Sequence, residues 1–199
     1  MPSPSIFGPY VDVPAGPDAA NAPVPATAAD GASKRLAFSM AHPKPTEWCW
    51  AATAAAVASF YASVQGTGQA LTPCQVATQC LFTACCPEPT DPADSRNREY
   101  ALEGALSTTG HLAQGPVPGT LDFQSIVTEI DGDRPVCCHI AWDSANPDNG
   151  HFNAIVGYDT ANQDVDISDC LYGDQTLLYT AFKNAYQGNG TWDLTYLTK

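Results

Sequence analysis

The apolar pattern of the chain changes near Pro135, and this change restricts the fold more than any other feature. Before Pro135, alanine-rich runs and helix-start signals such as Thr72-Pro73 predict helices. After it, short β-branched and aromatic runs alternate with turn residues such as Asn, Gly and Asp. Helices followed by antiparallel strands are typical of the α+β class. We therefore predict an α+β fold in which a helical half packs on an antiparallel β half, with a cleft between them.

The first helix is rich in alanine, and side chains this small let other elements approach closely, so we expect it at the centre of the fold. The predicted helices cover residues 47–63, 72–82, 95–106, 180–186 and a short segment that Thr120 or Asp122 caps and that ends near Ile130. The predicted strands cover residues 135–142, 152–158, 165–168, 176–179 and 191–198.

The first residues of the chain differ from the rest. Residues 1–36 are rich in Pro, Ala, Gly and Asp and lack a periodic apolar pattern, so we predict an extended or disordered leader. Within it, only Ile6-Phe7-Gly8-Pro9-Tyr10 groups bulky side chains, which makes this segment a candidate recognition or processing site. Residues 37–199 are predicted to form one folded domain.

The charge balance restricts the possible partners. Eight Lys and Arg stand against 21 Asp and Glu, which gives a net charge of −13 and leaves no basic cluster for a phosphate backbone. No apolar run is long enough to cross a bilayer. The cysteines form no C-x-x-C pair, and the adjacent pairs Cys85-Cys86 and Cys137-Cys138 are poor chelates. We expect no nucleic acid, no membrane, no metal and no cofactor.

Cysteine usage gives conflicting signals about the compartment. Eight cysteines in 199 residues are many, and the group from Cys74 to Cys86 favours an oxidising environment. Met1 to Tyr10, however, carries no Lys or Arg and leads into no apolar core of a signal peptide. We therefore expect secretion or delivery by a route that needs no such signal; a leader removed earlier would explain the pattern equally well.

The segment with the most chemistry is Thr46-Glu47-Trp48-Cys49-Trp50-Ala51-Ala52. Pro45 and Thr46 are typical of a helix start, with Thr46 as the N-cap, which places Cys49 at the third helical position. Unpaired N–H groups and the helix dipole favour a thiolate there. A buried structural cysteine is the alternative for a cysteine considered alone. The polar residues later in the chain favour a nucleophile.

A nucleophilic cysteine needs a base, and His151 is the best-placed histidine. It begins a predicted strand, and Gly150 before it leaves room for a substrate backbone. The next strand leads into Asp169, and hairpin pairing through residues 159–163 would bring that carboxylate back toward His151. There it would accept the Nδ1–H bond of the imidazole and stabilise the imidazolium. Asp166, on the same strand, is the alternative.

Other cysteines near these positions have simpler explanations. In Cys137-Cys138-His139, adjacent strand residues point to opposite faces, so a cysteine packed in the core is expected rather than a second nucleophile. Cys170 follows Asp169 and is expected to be half of a disulfide or a redox partner of the site. If Cys49 stays free, the remaining cysteines allow at most three disulfides.

Together, these segments resemble the papain-like cysteine peptidases, and most closely a bacterial, C39- or C70-like branch with a Trp-Cys-Trp-Ala-Ala nucleophile segment. The matching segments are Trp48 to Ala52, Gly150-His151-Phe152 and Asp169. Further matches are Thr72-Pro73-Cys74-Gln75, Cys85-Cys86, residues 129–136 and Trp192-Asp193-Leu194-Thr195-Tyr196. The resemblance covers roughly Phe38 to the C-terminus, and the order Cys, His, Asp is that of papain.

The resemblance implies that Cys49 attacks an amide carbonyl, that an acyl-thioester forms, and that water hydrolyses it with His151 as the base and Asp169 as the orienting group. The partner is then a protein or peptide substrate. Proteins of this branch include effectors and toxins delivered into other cells. Two other functions stay open: a deamidase or transferase that uses the same triad on Gln side chains, and a non-catalytic binding module on the papain fold.

One position departs from the family pattern. Papain-like peptidases carry a Gln five or six residues before the nucleophile, and its side chain helps to bind the oxyanion; Pro43 and Lys44 stand there in this sequence. Losing such a donor costs about 10²–10³ in rate. With the Cys49 backbone N–H as one donor, the candidates for the second are His42, Lys44 and Thr46. The candidate substrate contacts are Trp48, Trp50 and Gly150.

Overall fold

The structure, a computed structural model, describes residues 31–66, 68–143 and 150–199. The strands in these residues are β1 (Ser33–Arg35), β2 (Leu112–Pro118), β3 (Val136–Ala141), β4 (Gly150–Asp159), β5 (Asp164–Ser168), β6 (Gln175–Leu178) and β7 (Thr191–Thr198). They form one sheet in the order β2-β7-β3-β4-β5-β6, with β1 paired to β4 and every pairing antiparallel. β3 and β1 occupy the same edge of β4 one after the other.

The helices of the described residues are α1 (Cys49–Gln65), α2 (Pro73–Leu81), α3 (Leu102–Thr108), α4 (Phe123–Asp131) and α5 (Tyr179–Ala185). α1 is buried along most of its length, because its small alanines let α2, α3 and β4 pack closely around it. Thr53 of α1 donates a hydrogen bond to the Phe152 carbonyl of β4 over 3.4 Å. The prediction of a central alanine-rich helix is confirmed, and so is the α+β class.

The start of α1 differs from the prediction. Trp48, not Thr46, is the N-cap residue, and Cys49 is the first helical residue rather than the third. The Thr46 hydroxyl donates to Glu47 over 3.1 Å, and the Asn97 side chain accepts from the Glu47 backbone N–H over 3.0 Å. The bond to Asn97 ties Glu47 to the loop before α3. Cys49 therefore has one of the four backbone N–H groups that no helical carbonyl satisfies.

The third helix is shorter than predicted. Residues 95–101 form a loop, and α3 begins only at Leu102. The carbonyl groups of Arg96 and Arg98 accept hydrogen bonds from the indole N–H groups of Trp48 and Trp50, over 2.8 and 3.1 Å. Carbonyl groups inside a helix bond along the helix axis, so these two acceptors favour a loop here.

The predicted starts of α2 and α4 are confirmed. Thr72 precedes α2 and its backbone N–H donates to the Gln75 side chain over 2.8 Å, while Asp122 caps α4 by accepting from the Ser125 N–H over 2.9 Å. All five predicted strands are present; β7 has the predicted bounds, and the other four differ at their ends. β1 and β2 were missed, because Ser33–Arg35 has no apolar residue and β2 contains Pro116 and Pro118. Prolines are tolerated in β2 because it is an edge strand.

The folded body begins earlier than the predicted boundary at residue 37. β1 pairs Ser33, Lys34 and Arg35 with Asp159, Tyr158 and Gly157 of β4. These residues therefore belong to the sheet and not to the leader. The rest of the predicted leader, including the segment from Ile6 to Tyr10, lies outside the described residues.

Cys74 and Cys86 form a disulfide, which joins the start of α2 to the loop that follows it. The other six cysteines carry free thiols, and Cys137 and Cys138 are fully buried in the core of β3, as expected for core residues. None of the helices in the described part of the chain has the length and apolar character required to cross a bilayer.

Candidate active site

A cavity of about 600 Å³ lies where the start of α1 faces the ends of β3, β4 and β7. Cys49 and His151 both line it. The structure therefore brings together two residues that are 102 positions apart in the sequence, at the junction between the helical and the β half. A cavity of this size accommodates several side chains of an extended peptide.

The first pair at the site joins Cys49 and His151. Cys49 is half-buried at the N-terminus of α1, and His151 is the second residue of β4, with only 3% of its surface exposed. The thiol lies within hydrogen-bonding reach of the imidazole. A strand and a helix terminus are both rigid supports, so the two groups are held in place before any ligand binds.

The second pair joins His151 and Asp169. Antiparallel pairing of β4 with β5 brings the residue after β5 back to the start of β4, and His151 Nε2 lies 2.8 Å from Asp169 Oδ2. The predicted juxtaposition is thus present, but through Nε2 and not Nδ1. Because Nε2 bonds to the carboxylate, Nδ1 is the ring nitrogen left for the thiol.

Asp166, the alternative orienting group, lies elsewhere on β5. It pairs with Gly157 across the sheet, and its carboxylate contacts Arg35 over 3.2 Å and accepts from Thr176 over 2.5 Å. That prediction is corrected, because the register of β4 and β5 leaves Asp166 several residues beyond His151 along the strand.

The Asp169 carboxylate is held by four further donors. Its Oδ1 accepts from the backbone N–H groups of Leu171 and Tyr172, over 2.7 and 3.0 Å. Its Oδ2 also accepts from the Tyr186 hydroxyl over 2.7 Å and from Asn153 Nδ2 over 3.4 Å. Burial raises the pKa of Asp169, but the hydrogen bonds and the positive charge of His151 lower it further, so the net shift is downward. Asp169 is therefore a fixed anion.

His151 is shifted in the opposite direction. Burial lowers its pKa, while the hydrogen bonds and charges of Asp169 and Cys49 raise it, and the net pKa is about 9. The imidazole therefore holds a proton at neutral pH when it is paired with an anionic Cys49. This arrangement can supply a thiolate and a proton donor side by side.

Aromatic rings surround the imidazole. Trp142 stacks on His151 with centroids 6.1 Å apart and on Tyr186 with centroids 6.3 Å apart, and Tyr172 meets His151 edge-on at 6.0 Å. These rings limit the access of water to the His151–Asp169 pair. The sequence does not predict these three at the site, because no local pattern distinguishes an aromatic residue at a site from one in the core.

Comparison with protein families agrees with this geometry. The sequence profile described as the Peptidase_C39 like family matches residues 35–195, most of the chain. The chain belongs to the Peptidase_C39-like family. A comparison with curated proteins found no significant match. Membership in this peptidase family supports cysteine peptidase activity, and it agrees with a cavity that Cys49 and His151 both line.

In this Peptidase_C39-like chain, the three oxyanion candidates His42, Lys44 and Thr46 all line one small cavity beside Cys49, but their hydrogen bonds differ. His42 and Cys49 line a small cavity of about 70 Å³, and His42 Nδ1 bonds to the Cys170 carbonyl. Lys44 lines the same cavity, and its backbone N–H donates to Glu88 over 2.9 Å. The Thr46 hydroxyl donates to Glu47, so it is already engaged.

The three candidate substrate contacts differ in whether they line the cavity. Trp48 is fully buried in the core and does not line the described cavity, so its predicted contact with substrate is corrected to core packing. Trp50 and Gly150 do line the cavity. Gly150 has a further reason to be glycine, since a Cβ there would lie 1.9 Å from Nε2 of His139.

Three residues at the site have donor atoms close enough together to be considered as ligands of a metal ion. Atoms of His151, Asp169 and Cys170 lie within 4.8 Å of one another. Both Asp169 oxygens already accept hydrogen bonds, and burial raises the pKa of the Cys170 thiol, which opposes the thiolate that a metal would need. These residues do not form a ready metal site, because an ion there would displace His151 from Asp169.

Proposed function

We propose that this protein is a cysteine peptidase with a papain-like fold, in which Cys49 is the nucleophile, His151 the acid and base, and Asp169 the orienting group. The observation that carries the proposal is the position of the His151 ring. One ring nitrogen lies 2.8 Å from the Asp169 carboxylate, and the ring also lies within hydrogen-bonding reach of the Cys49 thiol. A family of peptidases that matches residues 35–195 supports the same reaction.

The reaction begins with transfer of the Cys49 thiol proton to His151. The thiolate attacks the carbonyl carbon of a peptide bond, and the carbonyl oxygen becomes an anion. When this tetrahedral intermediate collapses, the C–N bond breaks and the imidazolium gives its proton to the leaving amine. His151 then takes a proton from water, which attacks the thioester and releases the acid and the free thiol. Asp169 stabilises the imidazolium in both halves of the cycle.

The oxyanion needs donors in the place of the missing Gln. The Cys49 backbone N–H, at the first position of α1, is one. We assign the second to His42, whose ring lies in the small cavity with Cys49, since the Thr46 hydroxyl there already donates to Glu47. The Nδ1 atom of His42 is bonded to the Cys170 carbonyl, so Nε2 is the ring nitrogen that remains for the oxyanion.

Labelling of Cys49 tests the proposed function. The protein is treated with a peptidyl epoxide, and the modified cysteine is identified by mass spectrometry, in parallel with turnover of a fluorogenic peptide mixture. We expect modification of Cys49 and loss of both signals in Cys49→Ala and His151→Ala. His111→Ala is the matched control, because His111 bonds to the Lys199 carbonyl outside the cleft. Unmodified Cys49 in the folded protein would contradict the proposal.

The products also separate the peptidase from the alternative reactions. Two fragments whose masses add up to the substrate plus one water indicate peptide-bond hydrolysis. An intact substrate in which a Gln side chain has become Glu, or has gained an amine, would indicate a deamidase or a transferase on the same triad. Binding of peptides without any product would indicate a binding module.

The substrate, the localisation and the biological role of the protein are also proposals. A protein or peptide substrate follows from the proposed reaction. Secretion or delivery without a signal peptide, and a role as an effector or toxin, stay predictions from the sequence and from the family resemblance. The oligomeric state and the processing of the leader are left to experiment.

A further inference from the structure

We propose that the cavity beside Cys49 binds a Lys or Arg side chain of the substrate. This inference rests on the proposed peptidase function and adds the class of substrate to it. Three independent features of the cavity support it: the signs of its charges, an unpaired acceptor in its wall, and the shape and polarity of its aromatic sides.

Apart from His151, the charged residues that line the cavity are acidic. Glu47, Glu99 and Glu103 contribute carboxylates, and among the described residues that line it none is Lys or Arg. Glu103 lies in the first turn of α3 and Glu99 in the loop before it, so both belong to the same wall. The net charge of −13 adds to the negative field and favours the approach of a cation.

His139 supplies an acceptor in the opposite wall. The side chain is 7% exposed, and its Nδ1 lies 2.7 Å from Asp193 Oδ1. Donation of the Nδ1 proton to Asp193 leaves Nε2 of the neutral ring as an acceptor. Within the described residues Nε2 has no hydrogen-bond partner, and it lies against Gly150 in the cavity wall. An acceptor without a partner in the wall of the cavity favours a ligand that brings a donor.

The sides between these groups are aromatic. Trp50 and Tyr100 have ring centroids 5.0 Å apart, and Phe152 and Tyr196 have centroids 6.0 Å apart. The long side chains of Lys and Arg have apolar stems that pack along such rings and cationic heads that reach polar groups beyond them. A purely apolar side chain would leave the His139 acceptor unpaired, and an acidic one would be repelled by the three glutamates.

The test uses peptidyl epoxides that differ in one side chain. Each residue preceding the epoxide is varied in turn between Arg, the neutral isostere citrulline, Leu and Glu, and the second-order rate of Cys49 modification is measured. At the best position we expect Arg to react about tenfold faster than citrulline, because a charge-assisted hydrogen bond replaces a neutral one. The Glu probe should be the slowest.

Variants assign the preference to the cavity. Glu103→Gln and Glu99→Gln should each reduce the ratio of the Arg to the citrulline rate. Asp164→Asn is the matched control, since it removes one negative charge at the far end of the sheet, where Asp164 pairs with Asp159. The control should keep the full ratio.

The outcomes separate this inference from the proposed function. If no probe modifies Cys49, the peptidase proposal fails and this inference fails with it. If Arg, citrulline and Leu probes react at equal rates at every position, the peptidase stands and the cationic subsite is overturned. A preference for Arg that Glu103→Gln and Glu99→Gln leave intact would also overturn the assignment to this cavity.

Discussion

The Tyr186 hydroxyl donates a hydrogen bond to Asp169 Oδ2 over 2.7 Å, on the same oxygen that binds His151. Tyr186 is almost fully buried, and burial together with the charge of Asp169 raises the pKa of its phenol, so it stays a donor. It lies just after α5, far along the chain from Cys49. Tyr186 is therefore a positioning residue that acts through Asp169.

We expect Tyr186→Phe to lower the free energy of unfolding by about 1.5–3 kcal/mol, the range for a hydrogen bond to a charged group. It should also lower kcat/KM by shifting the Asp169 carboxylate. Tyr179→Phe is the control, because that hydroxyl donates to the Leu121 carbonyl over the same 2.7 Å outside the site. Equal activity losses in the two variants, measured at matched stability, would contradict a positioning role.

The pH dependence of the activity should reflect the protonation of His151. Its pKa is about 9, above the ordinary value of 6.5, and the leaving amine needs the proton that the ring carries. Activity should therefore fall as the pH rises through about 9. In Asp169→Asn the carboxylate no longer raises the pKa while burial still lowers it, so the alkaline limb should move to lower pH and kcat/KM should drop by about 10²–10⁴. Asp166→Asn should leave the limb in place, and a limb unmoved by Asp169→Asn would refute the assignment.

Substitutions at His42 should change the rate of the reaction. We expect His42→Ala to reduce kcat by about 10²–10³, the loss typical of one oxyanion donor. His42→Gln should recover part of this loss, because the side-chain amide also offers an N–H donor. Lys44→Ala is the comparison. Wild-type kcat in His42→Ala would remove His42 from the oxyanion site.

Close packing at Gly150 should be visible in a double-mutant cycle. The Cβ of Gly150→Ala would lie 1.9 Å from His139 Nε2, so the ring must move. We expect a loss of about 1–3 kcal/mol in the free energy of unfolding, as for other overpacked sites. Gly150→Ala combined with His139→Ala should regain most of that loss, and urea denaturation measures all four proteins. Strictly additive losses would show that the two residues do not compete for space.

The Cys74–Cys86 disulfide closes a loop with a sequence separation of 12. Replacing both cysteines by serine should lower the free energy of unfolding by about 3 kcal/mol, because the unfolded chain gains the entropy of the opened loop. Reducing agent should destabilise the wild type and leave the double variant unchanged. Modification of Cys49 by the epoxide should persist in both, since the bridge lies outside the cleft. Loss of that modification would show that the bridge also shapes the site.

Local signals in the sequence determined the elements whose cause is local. Thr72-Pro73 and Asp122 mark helix starts with side chains a few residues away, and the runs of β3, β4 and β7 are strongly β-branched and aromatic. The order of Cys49, His151 and Asp169 could also be read from the sequence, because each lies at the start or end of a predicted element. These features depend on residues close together in the chain.

Tertiary structure decided everything that depends on register and on distant partners. The pairing of β4 with β5 decides that Asp169, and not Asp166, lies beside His151. The start of α3 lies at Leu102 because the carbonyl groups before it accept hydrogen bonds from Trp48 and Trp50. The His139–Asp193 pair joins residues 54 positions apart, and no local pattern predicts it. Sequence determines which side chains a segment offers and how it prefers to fold, whereas the polar groups that meet are set by strand register and packing between segments far apart in the chain.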